Sequence, residues 1–320
     1  MQLGLTPNPC NLCPRRCGVD RRTSRGFCGA PADPVVPSVT IHLGEEPPLS
    51  GARGPHAGIV NLFFAHCNLH CIFCQNHQIS GPTLHSCSPS QGELSEGLRG
   101  GSTPISSLAD RIAELLPASN GLLGLVTAAH YAHTIPPLLD DLHARGLNPV
   151  VVYNSSGYES LDTLRALEGL VDIYLPDLKY LDPDLAARYS HAPDYPQVAT
   201  QALLEMKRQV GSSLKCDPDG IAFRGIIVRH LVLPGHLQNT LDCLDWLADN
   251  FPPTLHLSLM SQYFPPLQGL PAPIDRTLTA DEYAIVSRRF EQLGFNGWLQ
   301  EPDANTNYRP DFDNNTSPFK

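Results

Sequence analysis

Lysine is scarce in this chain: only four of its 22 cationic side chains are lysine, and arginine supplies the rest. We read that bias as a habit of composition and not as function. Long apolar runs are absent too. No segment of the sequence approaches the roughly 20 apolar residues that a membrane-spanning helix needs, so no membrane partner is expected. The opening MQLGLTPNPC has no basic stretch leading into an apolar core, so no secretory signal is visible and a cytoplasmic location is expected. Clustered Lys and Arg do not dominate a chain of net charge −10, which argues against nucleic acid as the main partner. What the sequence does have is ten cysteines in 320 residues. Without an export signal the default is reduced thiols, so clustered cysteines read as metal ligands before they read as disulfides.

The chain divides into four parts. Residues 1–33 are rich in Cys, Arg, Gly and Pro, and 34–56 form a Pro/Gly-rich connector. Residues 57–300 alternate between apolar runs and amphipathic stretches, and 301–320 form a C-terminal tail. The apolar runs at 58–65, 121–127, 149–153, 171–176, 225–233 and 254–259 read as strands. Helices are expected near 105–117, 133–145, 158–169, 182–190, 196–210, 238–250 and 279–293. Strand–helix alternation with nearly continuous apolar strands implies an α/β fold, a parallel sheet covered by helices. Six such units fall short of the eight of a closed barrel, which leaves an incomplete (β/α)6 barrel or a doubly wound sheet. Either way the active site belongs at the carboxyl ends of the strands. The run HSCSPSQGELSEGLRGGSTP reads as an exposed or disordered insertion.

The most specific feature is HCNLHCIFCQN. Cys67, Cys71 and Cys74 form C-x3-C-x2-C directly after the first apolar strand. Thiolates are soft ligands suited to iron–sulfur clusters or zinc. Ordinary electron-transfer clusters take four cysteines; three leave one iron without a protein ligand and open to a substrate. A zinc knuckle, or a four-cysteine cluster completed by Cys87, is the plainer alternative. Cys10, Cys13, Cys17 and Cys28 form a second set, C-x2-C-x3-C-x10-C, which closes a zinc site or fully ligates a [4Fe–4S] cluster. Both metals, and both a stapling and an electron-relay role, stay open. Cys216 and Cys243 stand alone, Cys243 in an apolar helix. His66 and His70 straddle Cys67 and read as neighbours of the site or as surface residues rather than as ligands.

The three-cysteine loop, with aromatic Phe73 before its third cysteine, resembles the signature of radical S-adenosylmethionine (SAM) enzymes. The likeness runs to the branch of pyruvate formate-lyase activating enzyme, especially its relatives with a cysteine-rich N-terminus. It is carried by CNLCPRRCGVDR, CNLHCIFCQN, VYNSSGYESLDTL, VDIYLPDLKY, RGIIVRHLVLPGH and SLMSQYFP. The resemblance implies a radical SAM-type partial barrel with a small Cys-rich metal-binding segment. It also implies an oxidoreductase working under anaerobic conditions. Cys67, Cys71 and Cys74 would hold a [4Fe–4S] cluster, and SAM would be cleaved reductively to a 5′-deoxyadenosyl radical that abstracts hydrogen. The electron would come from a low-potential donor such as flavodoxin or ferredoxin. The target would be a glycine of a partner glycyl-radical protein, or else a small molecule or a peptide side chain. A non-catalytic iron–sulfur carrier or zinc scaffold is the alternative from another class.

The same resemblance assigns the SAM pocket. Where family members carry a Gly-Gly-Glu-type motif, the second strand here ends Thr127-Ala128-Ala129-His130, so Thr127 and His130 are expected to stand in. Asn154 replaces an aspartate of the activating enzyme, which puts a cation there in doubt. Asp177 and Lys179 match side chains beside SAM, and strand alternation sends both to one face. Arg229 matches an arginine near the SAM carboxylate, a group that guanidinium binds well. Ser156-Gly157-Tyr158 looks like a glycyl-radical sequence, but it falls at a strand-to-helix turn where glycine serves backbone geometry.

Overall fold

The computed structural model describes residues 4–51, 56–81, 101–301, 304, 309–312 and 318–319. Cys87 lies outside them, as does most of the expected Gly/Ser-rich insertion.

Six parallel strands form where the apolar runs predict them: β2 (Ile59–Phe63), β3 (Leu122–Val126), β4 (Val150–Ser155), β5 (Ile173–Pro176), β7 (Ala222–Leu231) and β8 (His256–Met260). Three more strands complete the sheet. β1 (Ser38–His42) pairs antiparallel with β2, the two-residue β6 (Lys215–Cys216) pairs with β7, and β9 (Asn296–Leu299) adds parallel to β8. The strand order is β1-β2-β3-β4-β5-β7-β8-β9, with β6 beside β7. The connector expected at 34–56 is therefore corrected: it supplies an edge strand and the short helix α1 (Pro47–Ser50).

Helices cross between the parallel strands. After α2 (His77–Ser80) come α3 (Ile105–Leu115), α4 (Ile135–Ala144), α5 (Leu161–Ala166), α6 (Pro183–Ser190), α7 (Tyr195–Val210), α8 (Leu237–Asn250) and α9 (Ala280–Leu293). Their ends carry local signals. Asp182 caps α6 by accepting from the Asp184 and Leu185 amides, and Pro183 opens that helix. Thr279 and Glu282 form a capping box at α9.

Alternation along each strand sorts side chains to two faces. Val60, Leu62, Leu123, Leu125, Val151, Tyr153 and Tyr174 pack under the helices in the main core. Ile59, Leu122, Val152, Ile173, Leu175 and Ile227 form a smaller apolar plug on the other face. One strand step beyond that plug, toward the carboxyl ends, the inward positions become Asn61, Phe63, Val126, Asn154, Asp177 and Arg229.

The sheet is strongly curled. From β1 to β7 it takes five strand spacings, about 24 Å across a flat sheet. Yet Arg229 on β7 donates to Glu46, just beyond β1, at 2.8 Å. Only a sheet bent around its inner face brings those side chains together.

Candidate active site

The curled face encloses a cavity of about 520 Å³ at the carboxyl ends of the strands, within the usual range for a ligand pocket. Cys67, Cys71 and Cys74 all line it. Their loop leaves β2 through left-handed backbone at His66 (φ 68°) and turns again at His70 (φ 58°). It is held on several sides. The His66 amide donates to Ile79 O at 2.7 Å and the Ile72 amide to Tyr189 O at 2.9 Å. Phe73 is buried edge-on against Tyr180, Tyr189 and Tyr263.

The sulfurs receive hydrogen bonds. Ser190 Oγ donates to Cys71 Sγ at 2.9 Å, Ser80 Oγ to Cys74 Sγ at 3.2 Å, and the Leu69 amide to Cys67 Sγ at 3.4 Å. Burial, reinforced by the neighbouring cysteines, pushes the Cys67 thiol up to about 12. Burial raises Cys71 to about 11, against the pull of the Lys179 cation. Donors and a nearby cation favour the thiolate form of these buried sulfurs, the form that a metal centre binds. The donor chemistry therefore fits a thiolate-bound metal group. Among the described residues, however, no three His, Cys, Asp or Glu side chains are arranged around a single metal ion.

Thr127, Asn154, Asp177, Lys179 and Arg229 also face this cavity. Thr127 sits in left-handed backbone (φ 60°), and its amide donates to Asn154 O at 2.9 Å, which ties the ends of β3 and β4. Lys179 Nζ lies 2.5 Å from Asp177 Oδ2. Burial opposes the Lys179 charge, but Asp177 and then Cys71 more than restore it, and its pKa is raised.

His130, expected to help hold SAM, does not line this cavity. The left-handed turn at Thr127 sends the chain behind the end of β2. There the His130 ring is 1% exposed and bonds Ala65 O through Nε2 at 2.7 Å. Burial drives its pKa down to about 3, so it is neutral. Its main-chain carbonyl accepts from Arg21.

Arg229 does not face the cavity with a free guanidinium. It bonds Glu46 through Nε at 2.8 Å and Nη2 at 2.6 Å, and it also bonds Glu45. Glu45 accepts from Asn61 Nδ2 at 2.7 Å. Burial works against the Glu45 charge, but Arg229 overrides it and holds the carboxyl far below its ordinary range. The position of Asn61 in turn requires Gly124, where a Cβ would stand 1.9 Å from Asn61 Oδ1. Sequence reasoning missed both glutamates; two adjacent acids in an otherwise uncharged stretch were the only signal. It also missed Gln75, Gln262 and Gln300, whose amides form a chain along the cavity wall (Gln262 to Gln75 3.0 Å, Gln300 to Gln262 2.7 Å).

The N-terminal cysteines gather in a separate segment. Cys10, Cys13 and Cys28 are buried and Cys17 is half-buried. Burial pushes the Cys13 thiol up to about 12, with Cys28, Cys10 and Cys17 all near enough to add to the effect. The Phe27 amide donates to Cys17 Sγ at 3.3 Å, and Arg21 Nη1 lies 3.9 Å from Cys10 Sγ. His70 is half-buried against Phe27, and His66 is buried, so neither is a surface residue. Gly157 is at φ 79°, where a Cβ would meet Asp177 O at 2.3 Å, in keeping with a backbone role. Cys243 is fully buried in α8, and Cys216 is exposed.

No family model matches the chain. It is 27% identical over 278 residues to an uncharacterized protein of Methanocaldococcus jannaschii, covering 85% of this chain and 71% of that protein. Among solved structures it is similar to a radical S-adenosylmethionine methyltransferase, TsrM, from Kitasatospora setae, with cobalamin and a [4Fe-4S] cluster bound. That match has 14% identity and a TM-score of 0.41, and it covers 63% of this chain. The chain spans about a third of that structure (34%), and a likeness this slight carries no argument here. Among the described residues no helix is long and apolar enough to cross a membrane.

Proposed function

We propose that the cavity is the active site of a radical SAM enzyme. The observation that carries this reading is that Cys67, Cys71 and Cys74 open onto one cavity together with Asp177 and Lys179. Three thiolates would hold a [4Fe–4S] cluster and leave one iron for the amino and carboxylate groups of SAM. Such a group, held by Cys67, Cys71 and Cys74, would supply the reducing electron for cleavage of SAM to methionine and a 5′-deoxyadenosyl radical.

The chain's own residues bind, orient and exclude water. Lys179 and Asp177, a charged pair on one inner strand face, are polar partners for SAM. Thr127 and Asn154 offer further hydrogen bonds from neighbouring strand ends. Arg229, held by two glutamates, serves as a fixed wall of the pocket; it reaches a SAM carboxylate only if those glutamates yield. The apolar plug closes the floor, so a radical formed above it is shielded from solvent. Our finer reading is hydrogen abstraction from a glycine of a partner protein. An external flavodoxin or ferredoxin would supply electrons, under anaerobic, cytoplasmic conditions. The N-terminal cysteines would hold a second centre, [4Fe–4S] or zinc.

The test is anaerobic reconstitution, reduction and chromatography for 5′-deoxyadenosine. Product is expected from the intact chain. A reconstituted, reducible chain that makes none, with SAM in excess, would sink the reading.

A further inference from the structure

Arg15 sits between Cys13 and Cys17, yet the carbonyls that its guanidinium bonds all lie elsewhere in the fold. Nε donates to the carbonyl of Asn68 at 2.9 Å, inside the Cys67–Cys71 loop. Nη1 donates to His191 O at 2.7 Å and Nη2 to Ser190 O at 3.4 Å. Ser190 is the residue whose hydroxyl donates to Cys71 Sγ. The guanidinium is also sandwiched, 3.8 Å from the Phe27 ring and 5.1 Å from Tyr158. Tyr158 takes part again: its carbonyl accepts from Asn68 Nδ2 at 2.9 Å. Asn68, fully buried, is thus gripped by its carbonyl from one side and by its amide from the other. One residue before Cys28, Phe27 stacks on His70 at 4.7 Å between centroids and 16° between planes. The N-terminal segment and the central loop therefore meet through two contacts, one polar and one aromatic, that share the Phe27 ring.

We propose that Arg15 is a positioning residue for the central cysteine loop. The segment of residues 10–28 is the buttress that sets the spacing of Cys67, Cys71 and Cys74, so the two cysteine sets are coupled and not independent. A planar fork that bonds several carbonyls while stacking on rings is something arginine does and lysine cannot. The loop needs such support, because it takes left-handed backbone at two non-glycine residues, His66 and His70, a conformation that persists only when its surroundings enforce it. This inference rests on the reading that the central loop holds the SAM-binding centre, but its first readout does not.

The experiment uses the full-length chain carrying Arg15→Ala, Arg15→Lys or Phe27→Leu. Amide hydrogen exchange of the metal-free protein comes first. Arg15→Ala should speed exchange across residues 66–74 by about tenfold, the loss expected for a charged hydrogen-bonding partner, while α9 stays unchanged. Arg15→Lys should restore only part of the protection, and Phe27→Leu should have a smaller effect of the same pattern. The second readout is electron paramagnetic resonance of the reduced, reconstituted protein with and without SAM. The SAM-dependent change in the central signal should be lost or altered in Arg15→Ala with the iron content of the loop retained. Unchanged exchange over 66–74 in Arg15→Ala overturns the proposal, as does full rescue by lysine. If Arg15→Ala loses protection everywhere, Phe27→Leu decides, and a uniform change or none in that variant also overturns it. A wild-type signal indifferent to SAM would count against the proposed function instead, leaving the exchange result to stand.

Discussion

The two cysteine-bearing regions both hold buried and half-buried cysteines but differ in what lies beside them. Around Cys10, Cys13, Cys17 and Cys28 the neighbours are backbone and arginine. Arg21 is 1% exposed, with its guanidinium spent on the carbonyls of Ala30, Pro31 and His130. Another cavity, about 590 Å³, is walled there by Arg21, Arg22 and Arg25 and by none of the four cysteines. Around Cys67, Cys71 and Cys74 the neighbours are hydroxyl donors, a lysine and open volume. Cys67, Cys71 and Cys74 line a cavity, whereas the four N-terminal thiols line neither of the two cavities described.

The sharpest way to break that contrast is to remove thiols from one region at a time. Cys67→Ala, Cys71→Ala or Cys74→Ala should each abolish 5′-deoxyadenosine formation. A chain lacking all three should still bind metal at the N-terminal set, with about four irons and matching sulfide, or about one zinc, per chain by elemental analysis. Retained cleavage in Cys71→Ala would show that the open site lies elsewhere.

The next effect concerns the cavity wall. Arg229→Met leaves Glu45 and Glu46 buried without their cation, and breaking a buried pair this way costs about 3–5 kcal/mol. Urea unfolding should show the loss. The pH dependence has a definite sign. Glu45 has a depressed folded pKa, so its contribution is present above the unfolded value of about 4.3 and fades as pH falls below it. Arg229→Met should flatten this acid limb, and an unaltered limb would place the ion pair outside the folding energetics.

Smaller again is the pair that faces the ligand. Asp177→Asn or Lys179→Met should weaken SAM binding about tenfold or more, the roughly 1.5–3 kcal/mol of a charged hydrogen bond, without loss of iron. The same substitutions should leave the N-terminal centre untouched. Equal SAM affinity in both variants by calorimetry would return the pair to a purely structural part.

Much of this was legible in the residues. Nearly continuous apolar runs placed six strands, and the alternation expected past the fourth of them sent Asp177 and Lys179 to one side, where both line the cavity. β1 was hidden because SVTIH sits in a stretch rich in proline and glycine, where turn signals outweigh five strand-like residues. Glu46 was invisible as a site residue because its partner lies 183 positions away and is reached only when the sheet curls. His130 followed the strand-end pattern, but one left-handed residue, Thr127, redirected it. The contact of Arg15 with the central loop had no local signature, since arginines inside a cysteine motif read first as charge compensation.

A further expected effect lies between the two regions, at Glu159. Its carboxylate is 2% exposed and accepts from Ser155 Oγ at 2.5 Å and from Tyr153 OH at 3.2 Å. Ser155 lines the cavity, and Thr163, one helical turn beyond Glu159, donates to Leu12 O of the N-terminal segment at 2.7 Å. Burial raises the Glu159 pKa to about 7, and the two hydroxyl donors only partly offset it. Between about 4.3 and that value the unfolded chain has released a proton that the folded chain still holds. Stability attributable to this group is therefore greatest at low pH and declines as pH rises through that window, by up to about 1.4 kcal/mol per pH unit, with no further change above it. Glu159→Gln keeps an oxygen acceptor and removes the titration. Urea unfolding from pH 5 to 8 should show the wild-type decline disappear in the variant, while amide exchange near Ser155 stays slow. If the two proteins keep parallel stability profiles across that range, Glu159 is ionised in the fold.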